Sequence, residues 1–109
     1  MIVKNNILLT KNVKHRKSIL SKALGLMFTR KKNRIDVFYF NEKKRVDIHM
    51  IFVFYPITLI VLNDEGIVIE TKNLKPFSFY KTRNETKKLM EYPKDFFNIK
   101  KGDKLEIIK

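Results

Sequence analysis

Asp47 and His49 are the pair in this chain best suited to chemistry. They lie two residues apart in a stretch of alternating character, so on a strand both point to one side. A carboxylate beside an imidazole can orient it as a general base, or the two can supply ligands to a metal. Either use needs a third group, and Glu91 is the acid that a later strand could bring to them. The plain alternative is an Asp–His contact near a strand end. The other histidine, His15, lies within Lys14-His15-Arg16-Lys17 and reads as a neighbour of phosphate-seeking cations rather than a catalyst.

Other reaction classes find little support. Cysteine is absent, which removes disulfides, thiolate metal sites and cysteine nucleophiles together. Gly25, Gly66 and Gly102 stand too far apart to make a phosphate-cradling loop. Ser18, Ser21 and Ser78 lack the sharp glycine-flanked turn that exposes a serine nucleophile. The expectation is a chain with no cofactor and no metal, leaning away from catalysis.

Charge is the stronger signal. The formal net charge is +13, and its distribution is lopsided. Thirteen Lys and Arg residues precede position 51 and face only Asp36, Glu42 and Asp47, while eleven basic and eight acidic residues follow. Such a field attracts polyanions. The cations fall in three clusters: Lys14, Arg16 and Lys17; Arg30, Lys31, Lys32 and Arg34; and Lys43, Lys44 and Arg45. A Lys-rich, Cys-free composition also suits a thermophile, although such surfaces usually balance Lys with Glu.

The elements that must position these groups are mostly strands. At 109 residues and 44% apolar content the chain reads as a single domain, 1–109, with one core. Ile2 to Leu9 reads as a strand with a weak spot at Asn5-Asn6. From Lys14 to Leu24 the period becomes helical, with Ile19, Leu20, Ala23 and Leu24 on one stripe and Gly25 as the stop. Ile35 to Phe40 alternates like a strand, and 41–45 has the polarity and length of a hairpin reversal. Val46, Ile48, Met50, Phe52 and Phe54 share the inner side of a returning strand. Ile57 to Leu62 is almost uniformly apolar, as a central strand should be, and Asn63-Asp64-Glu65-Gly66 is the clearest turn. Phe77 to Tyr80, Lys87 to Tyr92 and Leu105 to Ile108 complete the set. Seven or eight short strands at this spacing predict a mainly β fold, a small closed or nearly closed barrel with one short N-terminal amphipathic helix. No apolar run is long enough to span a membrane, the first residues do not form a signal peptide, and a cytoplasmic location is expected.

Four segments in order resemble domain-of-unknown-function family 192. They are the helix ending Gly25-Leu26-Met27-Phe28, the apolar run from Met50 to Leu62 interrupted by Pro56, the strand Leu89-Met90-Glu91-Tyr92-Pro93, and Ile99-Lys100-Lys101-Gly102-Asp103 before the last strand. The resemblance covers about residues 3–108, with the intracellular, archaeal-looking branch as its nearest likeness. It implies a compact β fold and no particular activity. Glu91 and Gly102-Asp103 match the family pattern, with structural roles implied: Asp103 tying down turn amides, Glu91 pairing with a Lys or capping backbone donors. Thr58 stands where the family tends to carry an acid, and Asp95 where it tends to carry glycine.

Three functions follow as expectations. The first is a non-enzymatic module contacting RNA or a ribonucleoprotein surface through the three basic clusters. The second is a small-molecule or hydrolytic site at a barrel mouth built on Asp47, His49 and Glu91. The third is an interaction subunit for an acidic protein partner. Oligomeric state is not legible.

Overall fold

The computed structural model describes residues 1–4, 7–10, 13–16, 35–50, 55–94 and 97–108, with the backbone alone at 7, 10, 14–16 and 49. Six consecutive apolar or small residues, Ile57–Leu62, form β6, and all six are buried. A strand without an exposed side must be covered on both faces, and the topology supplies that cover. β6 lies between β9 (Thr86–Pro93) and β7 (Val68–Leu74) in a five-stranded sheet that continues through β4 (Ile35–Lys44) to β3 (Val13–Arg16). All its ladders are antiparallel except the parallel β3–β4 pair.

Each face of this central sheet packs against a smaller sheet. On one side a ribbon of β5 (Asp47–His49) and β8 (Phe79–Lys81) brings Val46, Ile48 and Met50 against Phe38, Leu59, Val61 and Leu89. On the other side the order is β10 (Leu105–Ile107), β1 (Ile2–Lys4), β2 (Ile7–Thr10). There Ile2, Ile99 and Leu105 join Ile35, Val37, Ile60, Met90 and Tyr92. The alternation of β4, β6 and β9 thus splits one set of apolar residues into two cores.

Among the described residues the ladders form three separate sheets and no closed barrel, which corrects the barrel expectation. The physical reason is the two-sided burial of β6 and its neighbours: layers satisfy it, whereas a small barrel has one interior. The hairpin expected at 41–45 is also absent. That run holds no glycine to take positive φ, and β4 keeps going through Lys44, its polar end exposed, until an irregular register brings Lys44 opposite Thr86. β5 then pairs with β8 instead of β4. Lys14 to Arg16, expected to begin a helix, belong to strand β3, and the remainder of that helix lies outside the described residues. The segment expected as one first strand holds two antiparallel strands, β1 ending at Lys4 and β2 beginning at Ile7.

One turn shows how tightly the outer layer is tied to the central one. Asn63 Oδ1 accepts the amides of Glu65 and Ile67 at 3.0 and 2.9 Å, closing an Asx turn. Gly66 takes φ 82°, and its carbonyl accepts the Leu105 amide at 2.9 Å. A Cβ at Gly66 would stand 2.5 Å from the Leu105 carbonyl oxygen, so both conformation and space require glycine.

Candidate nucleic-acid interface

Lys17, Arg30, Lys31, Lys32 and Arg34 lie outside the described residues, and the backbone places Lys14 and Arg16 opposite Asp36 and Phe38 on edge strand β3. Lys43 and Lys44 end β4, and there the charge is largely answered. Lys43 pairs with Asp64 at 3.0 Å, both exposed. The Asp64 hydrogen bond and then its charge raise the Lys43 pKa, with smaller contributions from Glu65 and Glu85. Asp64 is shifted down, first by that hydrogen bond, with Lys43, Lys87 and Lys88 all adding attraction. The Lys44 ammonium sits 4.9 Å over the Phe40 ring. At this end of the sheet Lys43 thus faces Asp64, Glu65 and Glu85, and Asp64 in turn faces Lys43, Lys87 and Lys88.

Arg45 leads instead into the β5–β8 ribbon, where its Nε donates to the Thr82 carbonyl at 2.8 Å. Thr82 is fully buried; its amide donates to the Val46 carbonyl at 2.9 Å, and its hydroxyl accepts the Val46 amide at 2.8 Å. Behind the ribbon, Glu70 on β7 gathers the following loop. Its carboxylate accepts the amides of Arg83 and Asn84 and the Asn84 side-chain amide, each at 3.0 Å, and also the Tyr80 hydroxyl. Burial alone would raise the Glu70 pKa; the hydrogen bonds from Tyr80, Arg83 and Asn84 more than offset it, and the net shift is downward. Burial and then the Glu70 hydrogen bond and charge push the Tyr80 hydroxyl up.

With Tyr80 and Ile48 turned inward, the alternate positions of the ribbon face out. Asp47 pairs with Lys81, and His49 stands opposite Phe79 in register. Phe79 is 65% exposed and Phe77 54% exposed, the two largest apolar exposures among the described residues. Phe77 is held in an unusual way. Lys75-Pro76-Phe77-Ser78 is a reversal with Pro at its second position and Phe77, φ 61°, at its third; the Ser78 amide returns to the Lys75 carbonyl at 3.3 Å. That is the pattern of a type II turn, whose third position ordinarily belongs to glycine or asparagine. A left-handed non-glycine residue costs about 1–2 kcal/mol. Two backbone bonds hold it there, each 2.8 Å: the Phe77 amide donates to the Met50 carbonyl, and the Met50 amide to the Ser78 carbonyl.

Lys75 and Lys81 lie two residues along the chain from Phe77 and Phe79, Arg45 and Arg83 act on Tyr80 of the same ribbon through their charge, and Asp47 is an exposed acid on its outer side. Lys72 lies 5.6 Å over the Tyr80 ring. A depression of about 200 Å³ is lined here by Asp47, Ile48, Phe79, Tyr80 and Lys81.

Asp47 therefore belongs to an outer surface, whereas Glu91 is buried in the central sheet, opposite both Asp36 and Leu59. The depression beside Asp47 is not lined by Glu91. His49 is described by its backbone alone. Among the described residues no group of three or more His, Asp or Glu is placed to hold a metal. Phe38, Phe40 and Tyr80, the other aromatic residues near the ribbon or on β4, are otherwise employed. Phe38 is core, Phe40 is half-buried beneath Lys44, and Tyr80 is half-buried on Glu70. Phe77 and Phe79 are the residues that reasoning from sequence missed. The available signal was Lys75-Pro76, which calls for a turn at Phe77.

The sequence and fold both have recognisable relatives. A UPF0127 protein of Thermococcus sibiricus is 29% identical over 102 residues, 89% of this chain; the chain spans just under two thirds (66%) of that protein. A UPF0127 protein of Pyrococcus furiosus is 30% identical over 94 residues, covering 82% of this chain and 80% of its own length. In solved structures, a provisionally assigned transcription regulator of Sinorhizobium meliloti 1021 superposes with a TM-score of 0.82 at 18% identity, covering 96% of this chain and 88% of that one. A protein of unknown function from Novosphingobium aromaticivorans gives 0.77 at 21% identity, covering 87% and 74%. These two likenesses establish the fold alone. The model of DUF192, described as an uncharacterized ACR, matches residues 2–107, and the chain belongs to that family.

Proposed function

We propose that the chain is a non-enzymatic binding module for single-stranded RNA, engaged through the outer face of the β5–β8 ribbon. The observation that carries the reading is the exposure of Phe77 and Phe79 in a segment that also carries the exposed Lys75 and Lys81, with Arg45, Lys72 and Arg83 acting on Tyr80 of the same ribbon. Bases stack on exposed aromatic rings for about 1–3 kcal/mol each, without sequence preference, and neighbouring cations follow the phosphates. The strain held at Phe77 supports the same view: glycine would satisfy the turn at lower cost, so the ring is there for what it touches.

The surplus of positive charge makes the interaction sensitive to salt. Lys14, Arg16, Lys17, Arg30, Lys31, Lys32 and Arg34 add long-range attraction in this reading, Lys43 and Lys44 contribute little, and Arg45 acts with the ribbon. A cytoplasmic location accords with RNA as partner. Among the described residues no helix is long and apolar enough to cross a membrane.

The test is a fluorescence-anisotropy titration of a labelled oligouridylate with the wild-type protein and the Phe77→Ala/Phe79→Ala double variant. The double variant is expected to bind about tenfold or more weakly, with unchanged thermal stability. Equal affinity would overturn the proposal. Capture of an acidic protein that survives nuclease treatment, without oligouridylate binding, would do so as well.

A further inference from the structure

On the face of the central sheet away from the aromatic ribbon lies a polar cleft of about 450 Å³. Thr58, Asn73, Tyr92, Lys94 and Asn98 line it, among others. Three of these form one row across three strands, since Asn73 pairs in register with Thr58 and Thr58 with Tyr92. Thr58 donates its hydroxyl to Asn73 Oδ1 at 2.9 Å, and Thr58 and the Ile99 backbone act on the Tyr92 hydroxyl at the other end of the row. Tyr92 is almost fully buried and is braced edge-on by Phe97, with ring centroids 5.3 Å apart. Burial pushes the Tyr92 hydroxyl up, so it stays a neutral phenol at physiological pH.

The polarity of this row has a consequence. Because Asn73 Oδ1 is taken up by Thr58, the amide nitrogen of Asn73 with its two N–H donors is the end left to meet a ligand. Asn73 is itself exposed, so those donors are reachable. Lys94 supplies the positive charge of the wall, and its ammonium enters no ion pair among the described residues. Lys72 also borders the cleft, but its ammonium sits over Tyr80 on the other face of the sheet. No carboxylate is among the described residues that line the cleft. Asp103, which acts on Tyr92 through its charge, is engaged by Lys4 at 3.3 Å and by the Lys100 amide at 2.7 Å. Among the described residues the wall is therefore rich in donors, positively charged and free of acids.

We infer that this cleft binds a small oxyanion, the carboxylate or phosphate group of a small ligand, with Asn73 Nδ2 and Lys94 as the contacting groups and Thr58 and Tyr92 as the residues that position Asn73. The site is separate from the RNA-binding surface and does not depend on it.

The test is an NMR titration of the full chain with inorganic phosphate in one arm and acetate in the other, following the Asn73 side-chain amide and the backbone amides of Thr58 and Lys94. Saturable shifts at these signals are expected in at least one arm, and the stronger arm identifies the source of the oxyanion. Asn73→Asp keeps the acceptor for Thr58 but replaces the donor by a negative charge at an exposed position; it should weaken binding about tenfold or more. Lys94→Gln should weaken it several-fold. Thr58→Val, which releases the Asn73 amide to rotate, should weaken binding while leaving the fold intact. Shifts confined to the exposed lysines, or a titration unchanged in Asn73→Asp, would overturn the inference.

Discussion

Two cationic regions of this molecule differ both along the chain and in the fold. At the end of β4, Lys43 belongs to a dense charge run, yet acids from the Asn63–Gly66 turn and the loop before β9 face it. At the β5–β8 ribbon the cations are spread along the chain, at positions 45, 72, 75, 81 and 83, and Asp47 stands opposite Lys81. The acid beneath the ribbon, Glu70, is buried and fully occupied by the amides and the hydroxyl it accepts. Charge density along a chain is therefore a poor guide to surface potential; what matters is which carboxylates the topology brings alongside.

The largest expected effect tests the support beneath the ribbon. Glu70→Ala leaves four buried or half-buried donors without their acceptor and should cost about 2–4 kcal/mol, read as a drop in the midpoint of denaturant unfolding. Oligouridylate affinity should fall with it, because the loop that holds Arg83 is no longer fixed. The matching change at the other region, Asp64→Ala, should leave the unfolding midpoint essentially unchanged, since its ion pair is fully solvated.

Next in size is the contribution of the rings themselves. Phe79→Ala should weaken oligouridylate binding by about 1–3 kcal/mol with no loss of stability. Phe40→Ala, at the neutralised end, should change binding little. Phe77→Gly separates strain from function: it removes the left-handed cost and should leave stability level or raised by about 1 kcal/mol, measured by thermal unfolding, while binding falls. A large loss of stability in Phe77→Gly would mean that the ring is a packing residue.

A smaller effect concerns pH. The folded Glu70 carboxyl lies below its ordinary value of 4.5, so the stability it contributes is present above that value and is lost as pH falls through the folded pKa. Acid titration of the unfolding midpoint should show this loss, and Glu70→Gln should remove its share of the slope.

Smallest is the long-range electrostatic contribution. Replacing Arg30, Lys31, Lys32 and Arg34 by Ala should flatten the salt dependence of RNA retention, by about 0.7 in log–log slope for each phosphate no longer neutralised. An unchanged slope would remove that cluster from the account.

Much of the scaffold was legible because hydrophobic pattern and burial are directly linked. The run Ile57 to Leu62 reads as central and is; Asn63 to Gly66 reads as a turn and closes as one. The alternation of Val46, Ile48 and Met50 gives the inner side of β5 correctly. The partner of that strand was not legible, since its pairing with β8 depends on long-range contacts that leave no local mark. The run at 41–45 misled for a related reason: polar residues fit an exposed strand end as well as a reversal. Phe77 to Tyr80 reads as an aromatic strand, which does not say which of its rings face outward. Only the placement of Tyr80 against Glu70 decides which members of 77–80 face outward. Asp47 and His49 do share strand β5, but Glu91 belongs to the interior of another sheet.

The central claim is that two exposed rings add base stacking to a general attraction for phosphate. It is tested most directly by comparing an oligouridylate with an abasic ribose-phosphate oligomer of equal length and charge at moderate salt. The account predicts tighter binding of the oligouridylate, a preference that disappears in the Phe77→Ala/Phe79→Ala variant. Equal affinity for the two oligomers in the wild-type protein would contradict it.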